Sequence, residues 1–313
     1  MPARILSGIA IRDQIQAEVT VEIEQLREAG VRPGLAVILA GNDPGSEIYT
    51  RNKVKTCEKL GIYSERMVFP ETTTTEELLS QVKLLNSRSE IDGILVQLPL
   101  PSQVDSKQVL LAVDPQKDVD GFHPMNVGNL VTQRPGLVPC TPAGILEILK
   151  RSEIPIKGQR AVVIGRSDIV GKPVALLLMH HHATVTVCHS RTQNLPAVCR
   201  EADILVAALG KPGMVTGEFV KPGAAVIDVG IGRITTLEEV ERFFPGDPKR
   251  RSQVETKGST LLGDIDPSTV LPVAGALTPV PGGVGPLTIA MLMVNTVRAA
   301  RMRRSHLAAY VAT

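Results

Sequence analysis

A chain of 313 residues is long enough for two domains, each with its own core. Its 43% hydrophobic and 21% charged residues are those of a globular protein, and a net charge of +2 gives no reason to expect nucleic acid as a partner. Met1–Gln14 has no apolar run of a secretory leader, and the uncharged stretch Pro267–Val297 holds Pro272, Pro279, Pro281 and Pro286, which prevent it from crossing a membrane as one helix. A cytoplasmic protein is therefore expected.

In chain order, Ile11, Ile15, Val19, Ile23 and Leu26 recur at helical spacing and predict a helix over Ile11–Ala29, stopped by Gly30. Leu35–Ala40 reads as a buried strand followed by the turn Gly41–Gly45. Ser46–Leu60 reads as a helix, Glu65–Phe69 as a strand, and Glu76–Asn86 as a helix opened by a Thr74/Glu77 capping box. With the strand Gly93–Gln97 these form a βαβαβ unit, whose C-terminal strand ends are where ligands bind. Two features stand out in it. Tyr49 and Lys53 share one helical face just after a Gly-rich turn, either as part of a site or as a tyrosine covering a lysine stem. Lys117–Pro124 carries Asp118 and Asp120, either as functional carboxylates or as an Asx-rich turn; nothing else in the chain supports glycosidase chemistry.

Thr141–Lys150 reads as a helix leading into Gln159–Arg191, the stretch around which the chain is organised. There the strand Ala161–Ile164, the turn Gly165–Gly171, the helix Val174–His182 behind Pro173 and the strand Thr184–Val187 follow without a gap. Such a unit presents free N–H groups and a positive dipole end to a phosphate. Ser167 stands where GxGxxG has its second glycine, so the pattern is only partial and an ordinary ligand-free crossover stays possible. The next strand ends in Cys188-His189-Ser190-Arg191-Thr192, without the acid that binds a ribose 2′-hydroxyl. A hydroxyl and guanidinium there, with Arg166 in the loop, suit a 2′-phosphate and favour NADP.

Ile204–Ala207 and Ala225–Asp228 continue the parallel sheet, Arg233–Gly258 reads as a charged surface excursion, and a Gly/Pro turn over Pro279–Pro286 introduces a last helix, Leu287–Arg304. Lys249-Arg250-Arg251 reads as a loop, and Arg298–Arg304 as a solvated helix end suited to the dipole. The four cysteines form no CxxC pair, which argues for reduced thiols and against zinc. His180-His181-His182 lacks ligand spacing and reads as the close of a helix, so no metal is expected.

Taken together, Ser46-x-x-Tyr49-x-x-x-Lys53, Gly93–Pro101, Lys117–Phe122, Pro139-Cys-Thr-Pro142, Gly165–Pro173, Ala183–Ser190 and Thr278–Pro286 resemble the bifunctional methylenetetrahydrofolate dehydrogenase/methenyltetrahydrofolate cyclohydrolase family, of the bacterial FolD type. Two departures are modest: Gly232 stands where the family more often has Asn, and the excursion before Gly263-Asp264 is longer than usual. The resemblance implies an α/β fold of two α/β domains across a cleft, the second a Rossmann-like doubly wound parallel sheet. Residues 1–140 plus 283–313 would be the folate-binding catalytic domain and 141–282 the NADP-binding domain. It implies that Lys53 is the catalytic lysine, Tyr49 stacks on the folate, Gln97 bonds near Lys53 and Asp120 holds the pterin. Gly165, Arg166, Ser167, Ser190 and Ile231 would line the NADP site, while Gly282, Gly283 and Thr288 would bind substrate as Gly282–Thr288 closes the cleft. A homodimer in one-carbon metabolism, serving purine, methionine and histidine biosynthesis, is implied as well. The rivals are an NADP dehydrogenase of another small substrate and a catalytically silent dinucleotide-binding protein; presence of both Lys53 and Asp120 speaks against the second.

Overall fold

The computed structural model describes residues 3–310, with side chains as far as 304, so the outer limits of the expected domains at 1 and 313 lie outside the described residues. The elements in order are β1 (Arg4–Ile5), α1 (Gly8–Glu28), β2 (Gly34–Ala40), α2 (Pro44–Leu60), β3 (Tyr63–Phe69), α3 (Thr75–Ser87), β4 (Gly93–Val96), α4 (Ser106–Ala112) and α5 (Pro124–Val131). Then come α6 (Cys140–Arg151), β5 (Arg160–Ile164), α7 (Gly171–His180), β6 (Thr184–Cys188), α8 (Leu195–Cys199), β7 (Ile204–Ala207) and β8 (Ala225–Asp228). The chain ends with β9 (Gly232–Ile234), α9 (Leu237–Phe243), α10 (Pro248–Lys257), β10 (Thr260–Leu262), α11 (Pro267–Val270), β11 (Ala276–Leu277) and α12 (Val284–Tyr310).

The chain divides into two compact units. One comprises Asp13–Cys140 with the chain from Ile289 onward; the other comprises the chain up to Arg12 with Thr141–Thr288. The first holds a parallel sheet in the order β3-β2-β4, the expected βαβαβ. Every residue of β2 is buried, as befits a central parallel strand covered on both faces. The predicted capping box of Thr74 and Glu77 is present in both directions.

The second unit is a six-stranded parallel sheet in the order β1-β11-β8-β7-β5-β6. From β5 the chain winds outward to β6 and returns to β7 on the other side of β5, so the strand order reverses at β5. In open parallel sheets that is the position where ligands bind, beyond the carboxyl ends. The first residues group with this unit, whereas the sequence suggested a first domain from 1 to 140. The physical reason is β1, which pairs with β11 as Arg4 opposite Ala276 and Ile5 opposite Leu277, and Gly8 N, which donates to Gly282 O at 2.9 Å.

Two further expectations are corrected. The excursion Arg233–Gly258 is not bare surface: β9 and β10 pair antiparallel, and Ile234, Val240, Phe243, Val254 and Leu262 form a small core of their own. Lys249, Arg250 and Arg251 accordingly lie in α10, with Arg250 stacked 4.1 Å from the Phe244 ring centroid. Arg298–Arg304 is solvated only in part, Arg298 and Arg301 being exposed. α12 continues past it, and Arg303 and Arg304 both bind the fully buried Asp92 carboxylate, at 2.7 and 2.8 Å. Among the described residues no helix is long and apolar enough to cross a membrane.

Candidate functional site

The first part of the site is built on α2. Asp43 caps it by accepting from Ser46 N at 2.7 Å, Pro44 fixes its first turn, and Gly61 ends it with φ of 82°. Its buried residues are Ser46, Thr50, Lys53, Cys57 and Leu60, spaced as one helical stripe. Lys53 therefore stands on the core-facing stripe, 7% exposed, where a hydrophobic residue would be ordinary. Its ammonium donates to Gln97 Oε1 at 2.9 Å. Gln97, just past β4, donates its Nε2 to Leu98 O at 2.7 Å, which commits the amide's donor end and turns the oxygen toward Lys53. Burial lowers the Lys53 pKa, against the opposing effect of Asp120 and Cys140. Tyr49 lies one turn before Lys53 on α2, half-buried, with its hydroxyl pKa raised by burial.

The Lys117–Asp120 loop separates its two carboxylates into different jobs. Lys117 is 1% exposed and donates to the carbonyls of Leu85, Asn86 and Arg88 at 2.7–2.9 Å, closing the end of α3. Asp118 is also buried and accepts from His123 N at 2.8 Å and Asn126 Nδ2 at 2.9 Å, so it is the turn-forming acid. Asp120 is the one that interacts with Lys53. Burial pushes its carboxyl up to about 6, Lys53 pulls it down and Asp118 pushes it up again. Cys140 is the residue the sequence reading passed over. Its thiol, 2% exposed, hydrogen-bonds Asp120 and contacts Val119 O at 3.2 Å, and burial holds its pKa well above the usual thiol value. The Pro139-Cys-Thr-Pro142 stretch carried that signal, but Cys140 is far from Asp120 in sequence. Together Lys53, Gln97, Asp120 and Cys140 form a cluster in which burial disfavours both the lysine cation and the aspartate anion.

The second part lies at the strand reversal. Gly165, with φ of 120°, could not carry a Cβ, which would meet Ala208 O at 2.1 Å; a Cβ at Gly171 would meet Gly165 O at 2.3 Å. α7 begins at Gly171, earlier than the sequence suggested, and Ser167 Oγ accepts from Val170 N and Gly171 N at 3.2 Å each. The residue in place of the second glycine is thus a cap. Asp168 is paired with Lys172, which offsets its charge at the helix start. Beyond β6, His189 N donates to Thr192 Oγ1 at 2.9 Å, leaving Ser190 and Arg191 exposed. Arg166 and Ile231 are exposed too. A backbone cradle that only glycine fits and the exposed guanidiniums of Arg166 and Arg191, with Asp168 paired to Lys172, fit a dinucleotide bearing an extra phosphate.

Gly282, Gly283 and Thr288 belong to this second unit, with Gly282 at φ of 101° and Thr288 Oγ1 3.0 Å from Thr141 Oγ1. His180 ends α7, and His181 Nδ1 lies 2.9 Å from Leu177 O. Among the described residues no group of three His, Cys, Asp or Glu side chains could hold a metal ion.

Comparison with known proteins agrees with this geometry. The family model for the tetrahydrofolate dehydrogenase/cyclohydrolase catalytic domain matches residues 6–120, and the one for the NAD(P)-binding domain of the same enzymes matches residues 139–304. A relative from Koribacter versatilis, the bifunctional protein FolD, is 64% identical over 98% of this chain and 99% of its own length. Among solved structures, the bifunctional FolD of Campylobacter jejuni is 40% identical with a TM-score of 0.86, covering 96% of this chain and 99% of that one. The methylenetetrahydrofolate dehydrogenase-cyclohydrolase of Trypanosoma brucei, solved with NADP and an inhibitor, is 39% identical with a TM-score of 0.86, covering 96% of this chain and 98% of that one.

Proposed function

Because this chain belongs to the tetrahydrofolate dehydrogenase/cyclohydrolase family, we propose that it oxidises 5,10-methylenetetrahydrofolate with NADP and then hydrolyses the methenyl product to 10-formyltetrahydrofolate. The observation that carries this reading is the cluster of buried Lys53 with half-buried Gln97 and Asp120 on the unit matched by the catalytic-domain family model.

When bound, NADP supplies the acceptor for a hydride. The chain's task in that step is positional: the bridging carbon between N5 and N10 loses hydrogen with its electron pair, and the two nitrogens share the resulting cation without any base. Tyr49 offers a flat face to the folate ring, and Asp120 accepts from the pterin's amino and ring N–H groups. Gly282, Gly283 and Thr288 complete the substrate contacts. Gly165 and Ser167 shape the pyrophosphate cradle, Ile231 packs beside the coenzyme, and Arg166 and Ser190 bind the 2′-phosphate.

In hydrolysis a water adds to the methenyl carbon and gives up a proton. Lys53, whose pKa is lowered by burial and would be lowered further by the substrate's positive charge, accepts it. As the C–N5 bond breaks, its electron pair staying on N5, the protonated Lys53 gives its proton to N5, and the amine so freed takes the proton of the new hydroxyl and releases it to solvent. One proton is released in the net reaction. Gln97 keeps Lys53 in place for both transfers.

A homodimer is part of the proposal. β6 is the outer strand of its sheet, one backbone edge unpaired, with Thr184, Thr186 and Val187 exposed, and this edge suits pairing with a second copy. Four buried free thiols suit the reducing cytoplasm, where the enzyme would supply formyl units for biosynthesis. The test is hydrolysis of 5,10-methenyltetrahydrofolate without coenzyme. The proposal requires decay well above the spontaneous rate, with 10-formyltetrahydrofolate as product; decay at the spontaneous rate rejects the cyclohydrolase half.

A further inference from the structure

Asn295 is a polar side chain in the apolar part of α12, 2% exposed, between Leu292 and Met293 at 0% and Val297 at 1%. Asparagine is a poor helix former, and burying an amide costs free energy unless its hydrogen bonds are met. Here they are met by backbone. Its Nδ2 donates to Val119 O and to Val138 O, each at 2.8 Å, and lies 3.6 Å from Cys140 Sγ. An amide nitrogen has two hydrogens, so those two carbonyls use both.

The acceptors are not ordinary positions. Val119 immediately precedes Asp120, and Val138 stands two residues before Cys140, the two groups that face Lys53 electrostatically. The two backbone segments also pass very close to each other. Gly121, with φ of 72°, has no room for a Cβ, which would meet Pro139 N at 2.6 Å and Val138 C at 2.7 Å. Nothing covalent joins these segments there, since 18 residues with a helix of their own separate Gly121 from Cys140. Asn295 bridges them from α12, beside the Cys140 thiol, which donates to Val119 O at 3.2 Å.

We propose that Asn295 is a positioning residue for the folate site: its amide clamps the backbone just ahead of Asp120 and of Cys140, and so sets the Asp120 carboxylate against Lys53. This rests on the functional reading above, in which Asp120 holds the pterin and Lys53 moves the proton. Without the clamp both loops keep their outer anchors, Asp118 on His123 and Asn126 for one of them. The Asp120 carboxylate then gains freedom, and water reaches Lys53.

The experiment compares the full-length enzyme with Asn295→Ala, Asn295→Leu and Asn295→Ser, using Asp120→Asn as reference. Leucine matches the amide in shape without donors, and serine keeps one donor on a smaller side chain, so it provides the comparison should the leucine variant not fold. For the folded variants kcat/KM on methenyltetrahydrofolate is expected to fall about 10- to 100-fold, the scale of a displacement near 1 Å. The pH at which hydrolysis reaches half its plateau should rise as Lys53 gains solvent, with serine intermediate. The dissociation constant for NADP, measured directly by calorimetry, should stay within about twofold of wild type, because Asn295 and the coenzyme cradle lie in different units. Variants with a lower Tm but wild-type kcat/KM and pH profile would overturn the proposal and leave Asn295 a packing residue. If Asp120→Asn keeps full activity, the functional reading itself fails; if it loses activity while the Asn295 variants do not, only the clamp fails.

Discussion

Replacing Lys53 with methionine separates the two reactions. Methionine keeps much of the stem on the buried face of α2 and removes the amine. Two local consequences follow from the geometry. Gln97 Oε1, only half-buried, loses its 2.9 Å donor, a cost of about 0.5–1.5 kcal/mol for one hydrogen bond. That cost is offset by no longer burying a cation, so Tm should change by only a few degrees. Asp120 loses the charge that holds it down, and its carboxyl should rise above its present value of about 6. Hydrolysis needs a proton carrier and should fall by about 10²–10⁴-fold, the usual contribution of a general acid–base group. Hydride transfer needs position only, and should fall less, by about tenfold through a looser pterin contact. Methenyltetrahydrofolate should then accumulate during turnover of the methylene substrate. Both rates are measured on one preparation, the first by loss of the methenyl chromophore and the second by NADPH formation. Equal loss of the two through KM, or an intact cyclohydrolase, would show that Lys53 is a binding charge and no proton carrier.

Wild-type protein should prefer NADP over NAD by at least about tenfold in kcat/KM, one charge-assisted phosphate contact supplying about 1.5–3 kcal/mol, and Arg166→Ala should raise KM for NADP while affecting NAD little; equal use of both coenzymes by the wild type contradicts this. Gly165→Ala should abolish NADP binding in a thermal-shift titration while folate binding persists, since its Cβ would lie 2.1 Å from Ala208 O; unchanged NADP affinity would remove the cradle from the site. Because Asp120 has a raised pKa in the folded protein, its contribution to stability is fully present below the unfolded value, near 4, and is lost as pH rises through about 6. The Tm of Asp120→Asn relative to wild type should therefore become more favourable between pH 4 and pH 7, and a difference independent of pH would refute the shift. EDTA should leave both activities intact, as no ligand cluster exists among the described residues; loss restored by a divalent ion would point back to the histidines at the end of α7.

The elements that periodicity and capping fix were legible in the sequence. β7 and β8 span the residues expected, and α2 and α3 differ from expectation by one or two residues at their ends. What was not legible has common physical causes. Lys53 could be placed on a helical face from spacing, but that this face is the buried one depends on what packs over it. Asp118 and Asp120 are indistinguishable in sequence, and only the partners His123 and Asn126 make the first a turn residue. Cys140 and Asn295 act across long sequence separations, where local pattern carries no information. The charged excursion looked like surface because its apolar residues are few, yet four of them meet Leu262 once β9 and β10 pair. The basic end of α12 was misread for the same reason, since Asp92, the acid that binds it, is some two hundred residues away in sequence.

The most direct measurement mixes the purified protein with 5,10-methylenetetrahydrofolate and NADP and follows NADPH and the methenyl chromophore in one time course. One site performing both steps should give steady NADPH formation, a methenyl signal that stays low, and 10-formyltetrahydrofolate in molar balance with NADPH. NADPH accompanied by an equal, persistent rise of methenyltetrahydrofolate beyond its spontaneous decay would contradict the hydrolytic role assigned to the Lys53 cluster, and no NADPH at all would contradict the function as a whole.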